Sequence, residues 1–162
     1  MEGDLIGARE SWVWGLSLIA LSIAIHAMGV VLLALLVLQI RPRLETWKFG
    51  LRQLVPIVIG VVGGVGLLLA VLHGIEAAIW AAAYLWLGAL DSPVDAMLYS
   101  ADSMTTRGAS GLMLQRHWRM MGALEAAGGM LLFGISTAYI FAVMQAYWPM
   151  LSHASKKIET VS

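Results

Sequence analysis

The chain contains no cysteine, which removes disulfide frameworks and thiolate metal sites without fixing a redox compartment. It is almost as poor in charge: only 12% of its 162 residues are Asp, Glu, Lys or Arg, and the ten basic and ten acidic residues cancel. A balanced charge gives no bulk attraction to nucleic acid or to an acidic substrate. Also missing are a nucleophile with its base, a glycine-rich phosphate loop on a soluble helix, and a metal-ligand pair on one helix face. Neither an enzyme nor a bound metal is therefore expected. What fills the chain instead is apolar: 60% hydrophobic residues and a mean hydropathy of +0.82. That mixture lies outside the globular range, and the natural solvent for it is a lipid bilayer.

The apolar residues are grouped into runs. Trp12 to Ile40 holds no charged residue and exceeds the roughly 20 residues a helix needs to cross the hydrocarbon core. It is too long for a signal-peptide core and lacks a small-residue cleavage pattern, so it is read as retained behind an acidic amino terminus, residues 1–11. Residues 41–53 form a basic loop, with Arg41, Arg43, Lys48 and Arg52 against Glu45, and Pro42 to end the first helix. A second run, Leu54 to Leu90, is interrupted by His73 and Glu76; a third, Met120 to Leu151, by Glu125. The tail, residues 152–162, is polar and expected to fray. Positive-inside bias places the 41–53 loop and Lys156 and Lys157 in the cytoplasm and the amino terminus outside, in a plasma or inner membrane.

Between the second and third runs, Asp91, Ser92 and Pro93 start a stretch from Val94 to Met104 that makes about three helical turns, too short to cross. The polar run TTRGASG, residues 105–111, follows it. A half-span that enters and leaves on the outer face fits best. Non-helical backbone at membrane depth must be buried in protein or line a watery cavity, so several copies are expected to converge on one axis.

The segment AMLYSADSMTTRGASG, followed by WRMMGALEAAGGMLLFGISTAYIFAVMQ, resembles the pore module of the potassium-channel superfamily, over roughly Trp80 to Tyr147. Closest are small bacterial channels with one helix ahead of a two-helix pore. The resemblance implies an all-α integral membrane fold: three transmembrane helices plus a re-entrant pore helix and filter loop, in a potassium-channel-like homotetramer with its filter at the extracellular end. The pore module would occupy residues 54–151, with a pore helix Val94 to Met104 and an inner helix Trp118 to Tyr147. Partners would be the bilayer, further copies of the chain and monovalent ions. No cofactor and no nucleic acid is expected.

Against a family filter of the type T-T-V-G-Y-G-D, Thr105, Thr106 and Gly108 match, whereas Arg107, Ala109, Ser110 and Gly111 depart. Ser110 replaces a glycine whose backbone region costs a residue with a Cβ about 1–2 kcal/mol. A potassium-selective filter is therefore not expected. Asp102 is placed to neutralise Arg107 behind the filter, leaving weakly selective cation flow; an Arg107 that lines the pore instead favours anions. A nonconducting relative is a further reading.

Glu125 is expected to brace the filter, to pair with Arg116 or Arg119, or to hydrogen-bond between helices. Gly128, Gly129 and Gly134 are candidate hinges of the inner helix. Gly60 and Gly64 have the spacing of close helix approach. Trp12, Trp14, Trp47, Trp118 and Trp148 read as an aromatic belt. His26 and His73, at similar depth on different spans, suit either a bis-histidine haem anchor or, for His73, a hydrogen bond with Glu76 three residues on. The first span, residues 12–40, is read as a peripheral accessory helix; it lacks the spaced arginines of a voltage sensor, and the tail is too short to fold as a ligand-binding domain.

Overall fold

Lipid offers a peptide group no hydrogen-bond partner, so an apolar run of membrane length satisfies its backbone by coiling. In the computed structural model, which describes residues 2–46, 50–108 and 110–159, the long runs do so. Helix α1 spans Glu2–Thr46, α2 Leu51–Trp86, α3 Pro93–Met104 and α4 Arg119–Glu159, the last preceded by a 3-10 turn at Arg116–Trp118. Among the described residues there is no strand. Three segments, Arg9–Pro42, Leu51–Trp86 and Arg116–Ser155, are long and apolar enough to cross a membrane. The chain is thus all-helical, with the makings of a multi-pass membrane protein.

Several boundaries differ from expectation, each for a local reason. The amino-terminal residues from Glu2 onward are the first turns of α1 rather than a separate segment. Pro42 lies inside α1 without ending it: the residue is exposed near the helix end, where the lost hydrogen bond matters least. The basic loop is accordingly short, and Trp47 and Lys48 fall outside the described residues. Helix α2 stops at Trp86, before Leu90, because Gly88 adopts φ +65°. The Gly88 N–H then donates to the Leu85 carbonyl at 3.1 Å and the Ala89 N–H to the Tyr84 carbonyl at 2.8 Å, a Schellman termination. The tail does not fray at 152. Helix α4 continues to Glu159, with His153 Nδ1 donating to the Pro149 carbonyl at 2.7 Å.

The chain divides into two compact units. One comprises Met28–Ala70 and Ile135–Ser162. Its buried residues recur at helical spacing: Leu54, Val58, Val65 and Leu69 on α2, and Ser136, Val143 and Tyr147 on α4. Gly60 and Gly64 face open space, so their spacing marks no contact among the described residues.

The other unit, Met1–Ala27 and Val71–Gly134, holds the core built from Leu18, Trp80, Ala81, Tyr84, Ala96, Leu114, Trp118 and Met121. Trp118 belongs to this core, whereas Trp12, Trp14 and Trp148 are exposed as a belt requires. Here α1 buries a stripe in which small and polar residues, Gly7, Ser11, Gly15, Ser22 and His26, accompany Leu18. Lipid supplies no hydrophobic drive for helices to associate, so close packing and polar contacts must do it. Gly15 lies against the Leu124 side chain and Gly128 against Ile19, while the Trp80 indole N–H donates to Ser22 Oγ at 3.1 Å. Gly15→Ile should therefore cost about 1–3 kcal/mol through overpacking against Leu124. Leu16→Ile, on the exposed face, should stay within about 0.5 kcal/mol. Unfolding of the two variants in mixed detergent micelles checks the contrast.

Candidate functional site

Helix α3 begins with a complete set of start signals. Ser92 is the N-cap, its Oγ accepting the Asp95 N–H at 3.3 Å, and Pro93 occupies the first turn. At 12 residues it is about 18 Å long, well short of the roughly 30 Å hydrocarbon core. Ala96, Ser100 and Met104, spaced by four, face inward, whereas Val94, Met97 and Leu98 are exposed. Met104 packs with Ala77 of α2, Leu132 of α4 and Ile23 of α1, all well inside the apolar segments. A Cβ at Gly129 would fall on the Met104 backbone carbonyl, so glycine is what lets α4 approach the end of α3.

Glu125 joins these helices. It is buried on α4, with the Tyr84 hydroxyl of α2 donating to Oε2 at 2.7 Å. Ser100 Oγ of α3 lies 2.5 Å from Glu125 Oε1 and 2.8 Å from the Ala77 carbonyl. A hydroxyl has one proton for these two oxygens, so both contacts are hydrogen bonds only when the carboxyl carries a proton of its own. A neutral carboxyl also suits a site remote from water. The expected alternative, pairing with Arg116 or Arg119, does not occur: Arg119 Nε donates to the Leu114 carbonyl at 3.4 Å, and the carboxyl contacts are those with Tyr84 and Ser100.

The loop after α3 starts from a second Schellman termination, with the Thr106 N–H donating to the Ser103 carbonyl at 2.8 Å and the Arg107 N–H to the Asp102 carbonyl at 3.0 Å. Here the left-handed position is held by Thr106, at φ 56°, where a β-branched residue is strained. Among the described residues of the loop, Gly108 and Gly111 are also left-handed. Ser110 does not take one, so the strain expected there is avoided. Its N–H instead donates to Asp102 Oδ2 at 2.8 Å, which ties the far end of the loop to the buried end of α3. Asp102 Oδ1 lies 3.8 Å from Arg107 Nε, a long ion pair to a side chain that is 71% exposed. Thr105 and Gly108 are also exposed. Ala109 lies outside the described residues.

A second polar group sits in the same unit. His26 Nδ1 approaches Glu76 Oε1 at 2.9 Å, and His73 Nδ1 approaches Glu76 Oε2 at 3.2 Å. The imidazole centroids are 5.0 Å apart, and His73 stacks on Phe133 at 4.2 Å. Axial haem ligands must face each other across a porphyrin. Here one carboxylate reaches both Nδ1 atoms, so these residues do not fit a bis-histidine haem. His73 and Glu76, three residues apart, are a donor pair on one face of α2 that the reading of the sequence passed over, and the third member is hidden because His26 and Glu76 are 50 residues apart. Ser100 and Tyr84 also escape sequence reading, though the alignment of Ala96, Ser100 and Met104 on one face of α3 is the available sign.

No family model matches the chain, and no curated protein or solved structure matches it.

The neutral-carboxyl arrangement distinguishes two substitutions of Glu125. Glutamine keeps one acceptor and one donor in nearly the same places, so Glu125→Gln should remain within about 0.5 kcal/mol of the wild type. Glu125→Ala leaves the buried Tyr84 hydroxyl without its acceptor and opens a cavity, while Ser100 keeps the Ala77 carbonyl, and should cost about 2–5 kcal/mol. Thermal or SDS-induced unfolding in micelles reads both.

Proposed function

We propose that the chain is the pore-forming subunit of a potassium-channel-like homotetramer that conducts monovalent cations with weak selectivity. Helix α2 is the outer helix, α3 a re-entrant pore helix, residues 105–111 the filter and α4 the inner helix. Helix α1 braces this assembly. The amino terminus lies outside and the carboxyl terminus in the cytoplasm of a plasma or inner membrane.

The observation that carries the reading is the placement of Met104. The last residue of a helix too short to cross packs with Ala77, Leu132 and Ile23, which belong to the interiors of membrane-length segments. The loop that follows leaves Thr105, Thr106, Arg107 and Gly108 exposed. In lipid such backbone needs protein or water around it, and several copies about an axis supply both. Converging α3 carboxyl-terminal ends would also present partial negative charge to the centre, which favours cations.

Weak selectivity follows from the loop. Its shape rests on Asp102 and on left-handed Thr106, Gly108 and Gly111, a spacing unlike that of a potassium filter. For gating, Gly134 is the strongest hinge candidate, because space is open around it whereas Gly128 and Gly129 sit at packed contacts.

A second reading is favoured by one observation. Arg107 is 71% exposed and only loosely paired, and guanidinium groups facing the axis would favour anions. Reversal potentials in proteoliposomes separate the two. Potassium and sodium gradients should each set the potential and chloride should not, with Arg107→Ala raising cation current. A potential that follows chloride and is lost in Arg107→Ala establishes the anion pore; absence of current from reconstituted tetramers rejects both.

A further inference from the structure

We infer that His26, His73 and Glu76 form a binding site for a divalent transition-metal ion of the zinc class. The inference stands apart from ion conduction and holds whether or not the chain forms a pore.

The donor set is the first support. One ligand atom from each residue lies within 4.8 Å of the others, with His26 Nδ1 2.9 Å from Oε1 of Glu76 and His73 Nδ1 3.2 Å from Oε2. Bonds of about 2.0–2.1 Å in a tetrahedral site place donors about 3.3 Å apart, so a bound ion would ask for side-chain adjustments rather than a movement of the helices. Two imidazoles and one carboxylate, with a fourth position for water, make a recurrent zinc site. Imidazole also disfavours magnesium and calcium, and with no cysteine in the chain there is no thiolate to favour copper(I).

Electrostatics supply the second support. Glu76 is fully buried inside an apolar helix, a costly position for a carboxylate. Its charge partners among the described residues are the two imidazoles, with Nδ1 of His26 hydrogen-bonded to Oε1 and Nδ1 of His73 3.2 Å from Oε2. One imidazole would be enough to hydrogen-bond the carboxylate, whereas a converging pair meets the donor requirement of a metal. Coordination through both Nδ1 atoms needs each ring to carry its proton on Nε2, a tautomer open to any neutral imidazole.

Rigidity is the third. His26 comes from α1, and His73 and Glu76 from one face of α2, so every ligand sits on a helix rather than a loop. Phe133 of α4 stacks on the His73 ring and fixes its plane. His26 and Glu76 are fully enclosed, and the 11% exposure of His73 marks the entry edge. A bound ion would clamp α1 to α2, giving the first helix a metal-dependent attachment.

The test uses the full chain without a polyhistidine tag, stripped with chelator, in lipid nanodiscs. Cobalt(II) is the probe, because a tetrahedral site gives it visible absorption bands that zinc bleaches. Expected are one cobalt per chain, displacement by zinc, and at least about a tenfold loss of affinity in His73→Gln, with His153→Ala unchanged. His153 is exposed and outside the cluster. Absence of saturable cobalt binding by the wild type overturns the proposal, as does binding that survives in folded His73→Gln. Should that variant fail to fold, X-ray absorption of the zinc-loaded wild type decides: two imidazole ligands support the site, and none overturns it.

Discussion

Glu125 brings one carboxyl group to the meeting of α2, α3 and α4 and satisfies both of its oxygens there. In water such a group would be a modest contributor beside the hydrophobic core. In lipid, apolar side chains gain little by leaving the solvent, so packing and polar contacts decide which helices associate. Tyr84 and Ser100 reach the carboxyl from different helices, and Ser100 extends the chain of contacts to the Ala77 carbonyl of α2. A neutral carboxyl makes this network consistent without a buried charge. Around it the helices close in where side chains are small, at Gly15, Gly128 and Gly129.

The position of α3 follows from that constraint. Ser100 fixes its middle and Gly129 admits its carboxyl-terminal end, so Met104 comes to rest among Ile23, Ala77 and Leu132. Beyond this point the chain cannot remain helical in the left-handed turn at Thr106, and Asp102 takes over as the organiser of the loop through Ser110. A strained threonine where the same termination on α2 has Gly88 is the kind of local cost that accumulates at working sites. The proposed filter thus rests on a carboxylate and a strained turn, rather than on the aromatic packing of a potassium-selective one.

Much of the architecture was legible because hydrocarbon demands a uniform composition over a fixed length, and Trp12 to Ile40 or Leu54 to Leu90 can scarcely be read otherwise. The short helix was equally plain from Ser92, Pro93 and the polar run after Met104. Helix ends were less so: Gly88 was the stop signal for α2, and an apolar Leu90 masked it. Contacts were hidden by distance along the chain, 25 residues from Ser100 to Glu125 and 41 from Tyr84. The stripe Gly7, Ser11, Gly15, Ser22, His26 was visible in principle, since small and polar residues at helical spacing mark a packed face in a membrane. Reading α1 as a peripheral span overlooked it. Ser110 was misjudged because strain was assigned by position in a family pattern, whereas the backbone shifted its left-handed positions to Thr106, Gly108 and Gly111.

The central claim is that α3 and its loop enter and leave on one face of the bilayer. Because the chain has no cysteine, a single introduced thiol reports without background. Cysteines at Asp91 and Gln115, both exposed and flanking α3 with its loop, and at Arg52, exposed at the start of α2, can be labelled with a membrane-impermeant maleimide in sealed proteoliposomes of known orientation. The expected result is labelling of positions 91 and 115 from the same face and of position 52 from the other. Labelling of 91 and 115 from opposite faces would make α3 part of a crossing and contradict the re-entrant arrangement.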